Sequence, residues 1–431
     1  MLAALAALSV VAFPPVSSAQ LGEGDSLRLD RLQAAAALRD PRVRQLAIRE
    51  AQAALRLRTI AAERLPSIAG SAQAQHQSVV TRFPAPQGAP GPTIPHDTYD
   101  ASVAVTEPLL DPTRSPRATV ERAQLARARA DVATALHGVR QQVNAGYFAV
   151  AALAARHDAV AATIADLEAQ ARVVESRVRN GTALRGELSA IRAELLRRRQ
   201  DDAQLLADRD AALRVLSDLT GLSLSPTTPI ALPALERQVA EARARHDSVV
   251  ARPELERFER VRDVLARQSE VVGAQTKPRV SAFARAGVGK PGLDMLSTRP
   301  ESYWIGGVQV QWNPLDWGRA ARERAALSLE RDAVEAEAAA FRDALRRSAV
   351  TDLATIDRLE QILAADDEII ALREQIDRET AARFRESAIT AAEYVDRQTD
   401  LLAARIARGL HRVELAQARA AFLTTLGLQV R

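Results

Sequence analysis

The feature that most constrains this chain is an internal duplication. Pro108-Leu109 recurs as Pro314-Leu315, 206 positions later. Arg177-Val178-Arg179 recurs as Arg383-Phe384-Arg385 at the same offset. Gly221, in Leu-Thr-Gly-Leu, recurs as Gly427, in Thr-Leu-Gly-Leu, again at 206. Three landmarks spread over roughly 110 residues keep one spacing without a gap, so each copy is one structural unit. Pro66 and Pro278 lie 212 apart instead. The first copy therefore carries six extra residues, and the Pro- and Gly-rich stretch from Phe83 to Pro95 is where an exposed loop accommodates them. The reading is of two repeats, 20–225 and 226–431, each running helix, strand, loop, strand, long helix, turn, helix.

The long helix is written in heptads. From Val132 to Val178, steps of four and three residues land on Val132, Leu136, Val139, Val143, Gly146, Val150, Leu153, His157, Val160, Ile164, Leu167, Ala171, Val174 and Val178. Such a seam packs by coiled-coil rules. No Pro interrupts the chain between Arg117 and Ser225, so one helix is expected from near Pro116 to the stop at Asn180-Gly181. At 1.5 Å per residue it would be a rod of about 100 Å. A second helix, from near Leu184 to Leu219, closes a hairpin. Composition agrees: aromatics are 3% of residues and hydrophobics 47%, which suits thin, Ala- and Leu-rich helical packing more than a thick core.

Four short stretches have strand character. In Tyr99–Thr106, Ala101, Val103 and Val105 share one face, and Ser102, Ala104 and Thr106 the other. In 303–313, Trp304, Val308, Val310 and Trp312 oppose Gln309 and Gln311. Residues 67–75 and 280–288 are weaker candidates.

Residues 1–19 read as an export signal. An apolar run from Leu2 to Phe13 precedes Pro14-Pro15, and Ser17 and Ala19 fit a cleavage site before Gln20. The run is too short to span a bilayer. Cysteine is absent, which removes disulfides, thiolate metal sites and Cys nucleophiles. The net charge of +4 comes from intermixed Arg and acidic residues, not a basic block, so nucleic acid is not an expected partner.

Nothing points to an enzyme. The six histidines, His76, His96, His137, His157, His246 and His411, show no HExxH and no pair at metal spacing. No metal or cofactor is expected. Gly287-Val288-Gly289 lacks the Lys-Ser/Thr of a phosphate loop. His157, on the heptad seam, reads as a packing or hydrogen-bonding group.

Taken in order and twice over, several short motifs carry a family resemblance. They are LPSI at Leu65 and KPRV at Lys277, EPLLD at Glu107 and NPLDWG at Asn313, and the tips at 177–187 and 383–393. The chain resembles the TolC family of outer-membrane efflux proteins across nearly all of residues 26–428. The resemblance implies a mainly α fold with a small β part: a long α-helical barrel joined to a 12-stranded trimeric β-barrel, four strands per subunit. It implies an outer-membrane location reaching into the periplasm. The partners would be a periplasmic adaptor (membrane fusion) protein and an inner-membrane pump, in a tripartite efflux or type I secretion system. It further implies a pore constriction at Glu393 and Asp396, where the alternative is an exposed Glu393–Arg397 pair. It places adaptor contacts at Asn180, Gly181, Thr182, Glu386, Ser387 and Ala388. Trp304 and Trp312 would be interface aromatics, with Trp317 packed at the strand-to-helix joint. The rival reading is a periplasmic coiled-coil scaffold without a pore. The cargo is not written in the sequence.

Overall fold

The computed structural model describes residues 26–81, 94–226, 228–245, 251–294, 297 and 299–430. The proposed export signal and most of the Phe83–Pro95 loop lie outside them. Twelve named elements follow one order twice. The first set is α1 (Leu29–Arg39), α2 (Pro41–Ala62), β1 (Ser67–His76), β2 (Asp97–Leu110), α3 (Arg114–Arg179) and α4 (Arg185–Thr220). The second is α5 (Glu236–Arg243), α6 (Pro253–Gln275), β3 (Arg279–Lys290), β4 (Glu301–Gln311), α7 (Arg319–Arg385) and α8 (Ala391–Thr425).

Each set opens with two helices where the sequence suggested one. Pro41 and Pro253 explain the break. Each is the first residue of its helix, where a missing N–H is harmless, and each forces the preceding residue out of helical geometry. Asp40 accordingly sits at φ −57, ψ 127. These two prolines share the 212-residue spacing of Pro66 and Pro278.

The four strands form one antiparallel sheet in the order β1-β2-β3-β4. Its central pairing, β2 with β3, joins the two halves of the chain. The ladder is irregular between Pro108 and Leu110, where a residue without an N–H interrupts it. β1 and β4 each have one unpaired edge within the chain.

The chain divides into two compact units. Of the described residues, one unit comprises those within 26–43, 133–253 and 341–430, and the other those within 44–132 and 254–340. The first holds the main core, where Leu27, Leu32, Val143, Phe148, Leu216 and Phe422 pack together. Tyr147 is fully buried there and donates its hydroxyl to the carbonyls of Leu27 and Ala231. Burial, and secondly the charge of Asp30, push that hydroxyl up to about 12. A smaller cluster of Leu167, Val174, Ile191, Leu195, Phe384, Ile389 and Tyr394 fills the far end of the helical hairpins. Every seam position from Val132 to Val178 is buried or half-buried, none exposed. His157 hydrogen-bonds Asp202 on α4 at 2.6 Å, so it ties the hairpin rather than presenting a ligand. The second unit holds the sheet and is braced between helices by ion pairs such as Arg129–Glu50 at 2.9 Å and Arg257–Asp131 at 2.9 Å.

Candidate functional site

Two places gather the residues singled out above: the hairpin tips and the sheet. The tips are built alike. In the first, Gly181 takes a left-handed conformation (φ 73), its N–H bonds Val178 O at 3.1 Å, and Thr182 N–H bonds Arg177 O at 2.8 Å. In the second, Ser387 takes the same conformation (φ 59), bonding Phe384 O at 3.1 Å, while Ala388 bonds Arg383 O at 2.9 Å. Both are Schellman stops that satisfy the last helical carbonyls. Glycine adopts this backbone without penalty; serine has a Cβ that resists it. Asn180, Gly181, Thr182, Glu386, Ser387 and Ala388 are all exposed, so these side chains form the outward surface of the turns.

The two tips are also joined. The Arg177 guanidinium donates to Phe384 O at 3.2 Å and to Ser387 Oγ. No reciprocal bond from Arg383 to the first tip is present among the described residues. This cross-contact was not legible in the sequence, because nothing in the spacing distinguishes Arg177 from its repeat equivalent.

Glu393 and Asp396 lie in the first turns of α8, both exposed. Thr390 caps that helix by accepting from Glu393 N at 3.2 Å. Thr390-x-x-Glu393 has the spacing of a capping box, and a carboxylate there is favoured by the helix dipole. The expected alternative partner, Arg397, turns instead to Asp400 at 3.6 Å. Neither Glu393 nor Asp396 forms an ion pair among the described residues. Their equivalents in the first repeat are Glu187 and Ala190, so only the second repeat has acids at both positions.

Below these acids the second tip has an aromatic and polar interior. Phe384 and Tyr394 stack with centroids 5.0 Å apart. Gln398 donates to the Tyr394 hydroxyl at 3.1 Å and to Asp377. Burial, then the charge of Asp377, hold the Tyr394 hydroxyl well above its usual value. Burial, then the charge of Asp166, raise the Asp377 carboxyl.

In the sheet, the cross-strand register sorts side chains onto two faces. One carries Ile68, Ala72, Val103, Val105, Ala284, Ala286, Val288, Trp304, Val308 and Val310. The other carries Ser71, Gln73, Asp100, Ser102, Arg285, Tyr303, Gln309 and Gln311, interrupted by Phe283 and Ile305. The alternation expected for β2 and β4 holds in the main and extends to β1 and β3, with Glu107 and Ser302 on the apolar face and Phe283 and Ile305 on the polar one as exceptions. Arg285 bonds Asp100 at 2.5 Å and Ser102 at 2.9 Å, and Tyr303 reaches Asp100 at 2.5 Å. Gly287 makes room for this: a Cβ there would come within 2.9 Å of the Tyr303 hydroxyl. Trp304 is 78% exposed on the apolar face. Trp312, just past β4, is exposed and donates to Thr276 O at 3.1 Å. Trp317 is at the strand-to-helix joint but 80% exposed, with φ 55, so it does not pack there within the chain.

Residues 32–222 match the outer membrane efflux protein family. No curated protein matches the sequence. Solved structures share the fold. The outer membrane protein VceC of Vibrio cholerae is 17% identical, with a TM-score of 0.68 over 94% of this chain and 97% of that one. The Campylobacter jejuni CmeC outer membrane channel is 13% identical, at 0.66 over 93% and 85%. The open state of the Neisseria gonorrhoeae MtrE outer membrane channel is 16% identical, at 0.66 over 94% and 90%.

Proposed function

We propose that this chain, a member of the outer membrane efflux protein family through residues 32–222, is one subunit of a trimeric exit duct. It carries no chemistry of its own. The observation that carries this reading is the sheet: four strands, one face mainly apolar between Glu107 near one end and Lys290 and Ser302 near the other, and an open edge on each side. An open edge in lipid leaves backbone groups without partners, so such a sheet needs more strands to close. Three copies supply twelve. The apolar face then meets lipid, and the Asp100–Arg285–Tyr303 cluster with its flanking Gln side chains faces a wet lumen.

Trp304 and Trp312 fit the two rims of such a barrel. Eight residues of strand cover about 26 Å, or about 20 Å along the membrane normal after the usual tilt, close to the height of an apolar band. Tyr99, exposed on the same face near the outer rim, is a third candidate. The long hairpins would continue as a helical tube in the periplasm, ending at the tips. There Glu393 and Asp396 would give six carboxylates around the axis, a cation-attracting constriction. The tip turns at 180–182 and 386–388 would receive a periplasmic adaptor serving an inner-membrane pump, for tripartite efflux or type I secretion. A pore-less periplasmic scaffold leaves the apolar sheet face unexplained.

The test is reconstitution. Purified protein in a planar bilayer should give discrete conductance steps. A protein that stays soluble without detergent and conducts nothing would overturn the proposal.

A further inference from the structure

The duplication that doubles the fold also shows what two of its helices lack. Within each repeat, the helix before the first strand pairs with the helix after the second. Arg129 on α3 meets Glu50 on α2 at 2.9 Å. Arg262 on α6 meets Glu335 on α7 at the equivalent positions, 212 and 206 residues on, with the charges exchanged. A different seam joins the repeats. α3 and α6 adjoin the paired strands β2 and β3, and they meet through Asp131 and Arg257 at 2.9 Å. Each of these two helices therefore has a neighbour on both sides. On α3, Pro116, Thr119, Ala123, Ala126 and Ala130 are all buried or half-buried. So are Arg257, Arg260, Val264, Arg267, Val271 and Ala274 on α6. Steps of three and four residues trace one stripe along a helix. α2 and α7 adjoin the open-edge strands β1 and β4. Their equivalent stripes are exposed throughout: Gln45, Ile48, Gln52, Leu55, Thr59 and Ala62 on α2, and Arg322, Ala325, Leu329, Asp332 and Ala336 on α7. Ile48, Leu55 and Leu329 are 50%, 61% and 70% exposed, which leaves large apolar side chains in water.

We propose that α2 of one copy packs against α7 of the next along these two stripes, as α6 packs against α3 within the chain. The occupant of each stripe is thus a second copy of this chain. Three observations select it. First, β1 follows α2 and β4 precedes α7, at the same end of the sheet. Closing β4 of one copy on β1 of the next keeps the antiparallel alternation and brings the two helices side by side. A head-to-tail contact of this kind closes into a ring. Second, the charges are complementary. Carrying the Asp131–Arg257 contact over by the repeat offsets sets Glu337 level with Gln45. Arg44 lies beside Gln45 and Arg49 one turn on, while Asp332 lies near Glu337. None of these four charges has an ion-pair partner among the described residues. Third, Ile48 and Leu55 stand one heptad apart, the spacing of a helix seam, and Leu329 falls opposite them by the same offsets. The inference rests on the trimeric reading of the sheet and adds to it a helical contact with named residues.

Cross-linking tests the seam without background, because the chain has no cysteine of its own. Gln52→Cys with Leu329→Cys places thiols at the counterparts of Val264 and Ala123, both buried within the chain. Gln45→Cys with Glu337→Cys does so at the counterparts of Arg257 and Asp131. All four positions are exposed in the single chain, so the substitutions leave its core intact. Each double variant, purified in mild detergent and treated with a short bis-maleimide, should give covalent dimers and trimers on a denaturing gel. Each single-cysteine variant should stay a monomer there. Particle mass before cross-linking separates the two claims. Three chains per particle with no covalent dimer from either pair would overturn the helical seam and leave the trimer standing. Single chains per particle, with the helical spectrum unchanged, would overturn both.

Discussion

The two hairpin tips share a backbone and differ in almost everything attached to it. Both end in the same pair of helix-stopping hydrogen bonds, 206 residues apart. The first uses Gly181 in the left-handed position, opens α4 without a side-chain cap, and carries a lone Glu187. The second uses Ser387, caps α8 with Thr390, and carries Glu393 with Asp396 over a Phe384–Tyr394 stack. Duplication preserved the geometry of a turn and left its chemistry free to diverge. The tip with more acids, an aromatic interior and a less comfortable turn is the one to which we assign the gate. Arg177 adds to the asymmetry, since the first tip holds the second and not the reverse.

The largest expected difference is in the interior. Phe384 and Tyr394 are almost fully buried, and either truncation to Ala should cost about 3–5 kcal/mol. Their equivalents Val178 and Leu188 are only half-buried and should cost less when truncated. Hydrogen exchange of tip amides reads this directly, and equal loosening by both pairs would erase the distinction.

Next comes the acid pair. Glu393→Ala with Asp396→Ala should reduce divalent-cation block and cation preference in single-channel records by about tenfold, since in the proposed trimer six carboxylates at one constriction would act together. Glu187→Ala should do much less. If both variants conduct alike, Glu393 serves only its helix terminus.

A smaller effect is expected at the turns. Gly181→Ser should cost about 1 kcal/mol, because the position is left-handed although space is open around it. Ser387→Gly should gain less than that, since Arg177 loses its hydroxyl partner. Thermal unfolding of the two variants gives the sign.

The smallest concerns Asp377. Its carboxyl is raised, by burial first and by Asp166 second. A raised carboxyl contributes fully to stability below its unfolded-state value, and that contribution is lost as pH climbs through the raised one. At neutral pH Asp377→Asn should therefore stabilise the tip. The gain should be well under about 1 kcal/mol because the group is only half-buried, and it should vanish in acid. Melting curves across that range would show it, and a destabilised variant at neutral pH would contradict the assignment.

Much of the fold was legible because it is periodic. Heptads fixed α3, two-residue alternation fixed β2 and β4, and the 206-residue offset paired the turns. The split of each leading helix was missed although Pro41 and Pro253 announce it, since a single periodic stretch masks one proline near its start. Contacts between distant segments were not legible. Arg177 meeting Ser387 and Tyr303 reaching Asp100 over Gly287 both depend on register and side-chain direction. Trp317 was misjudged for a related reason: whether an aromatic packs at a joint depends on a left-handed backbone that composition does not reveal.

The central claim is that this sheet closes only with two further copies. Particle mass in mild detergent, on a sample with a mostly helical spectrum, tests it most directly. The account predicts three chains per particle, whereas a stable, folded single chain in detergent would contradict it.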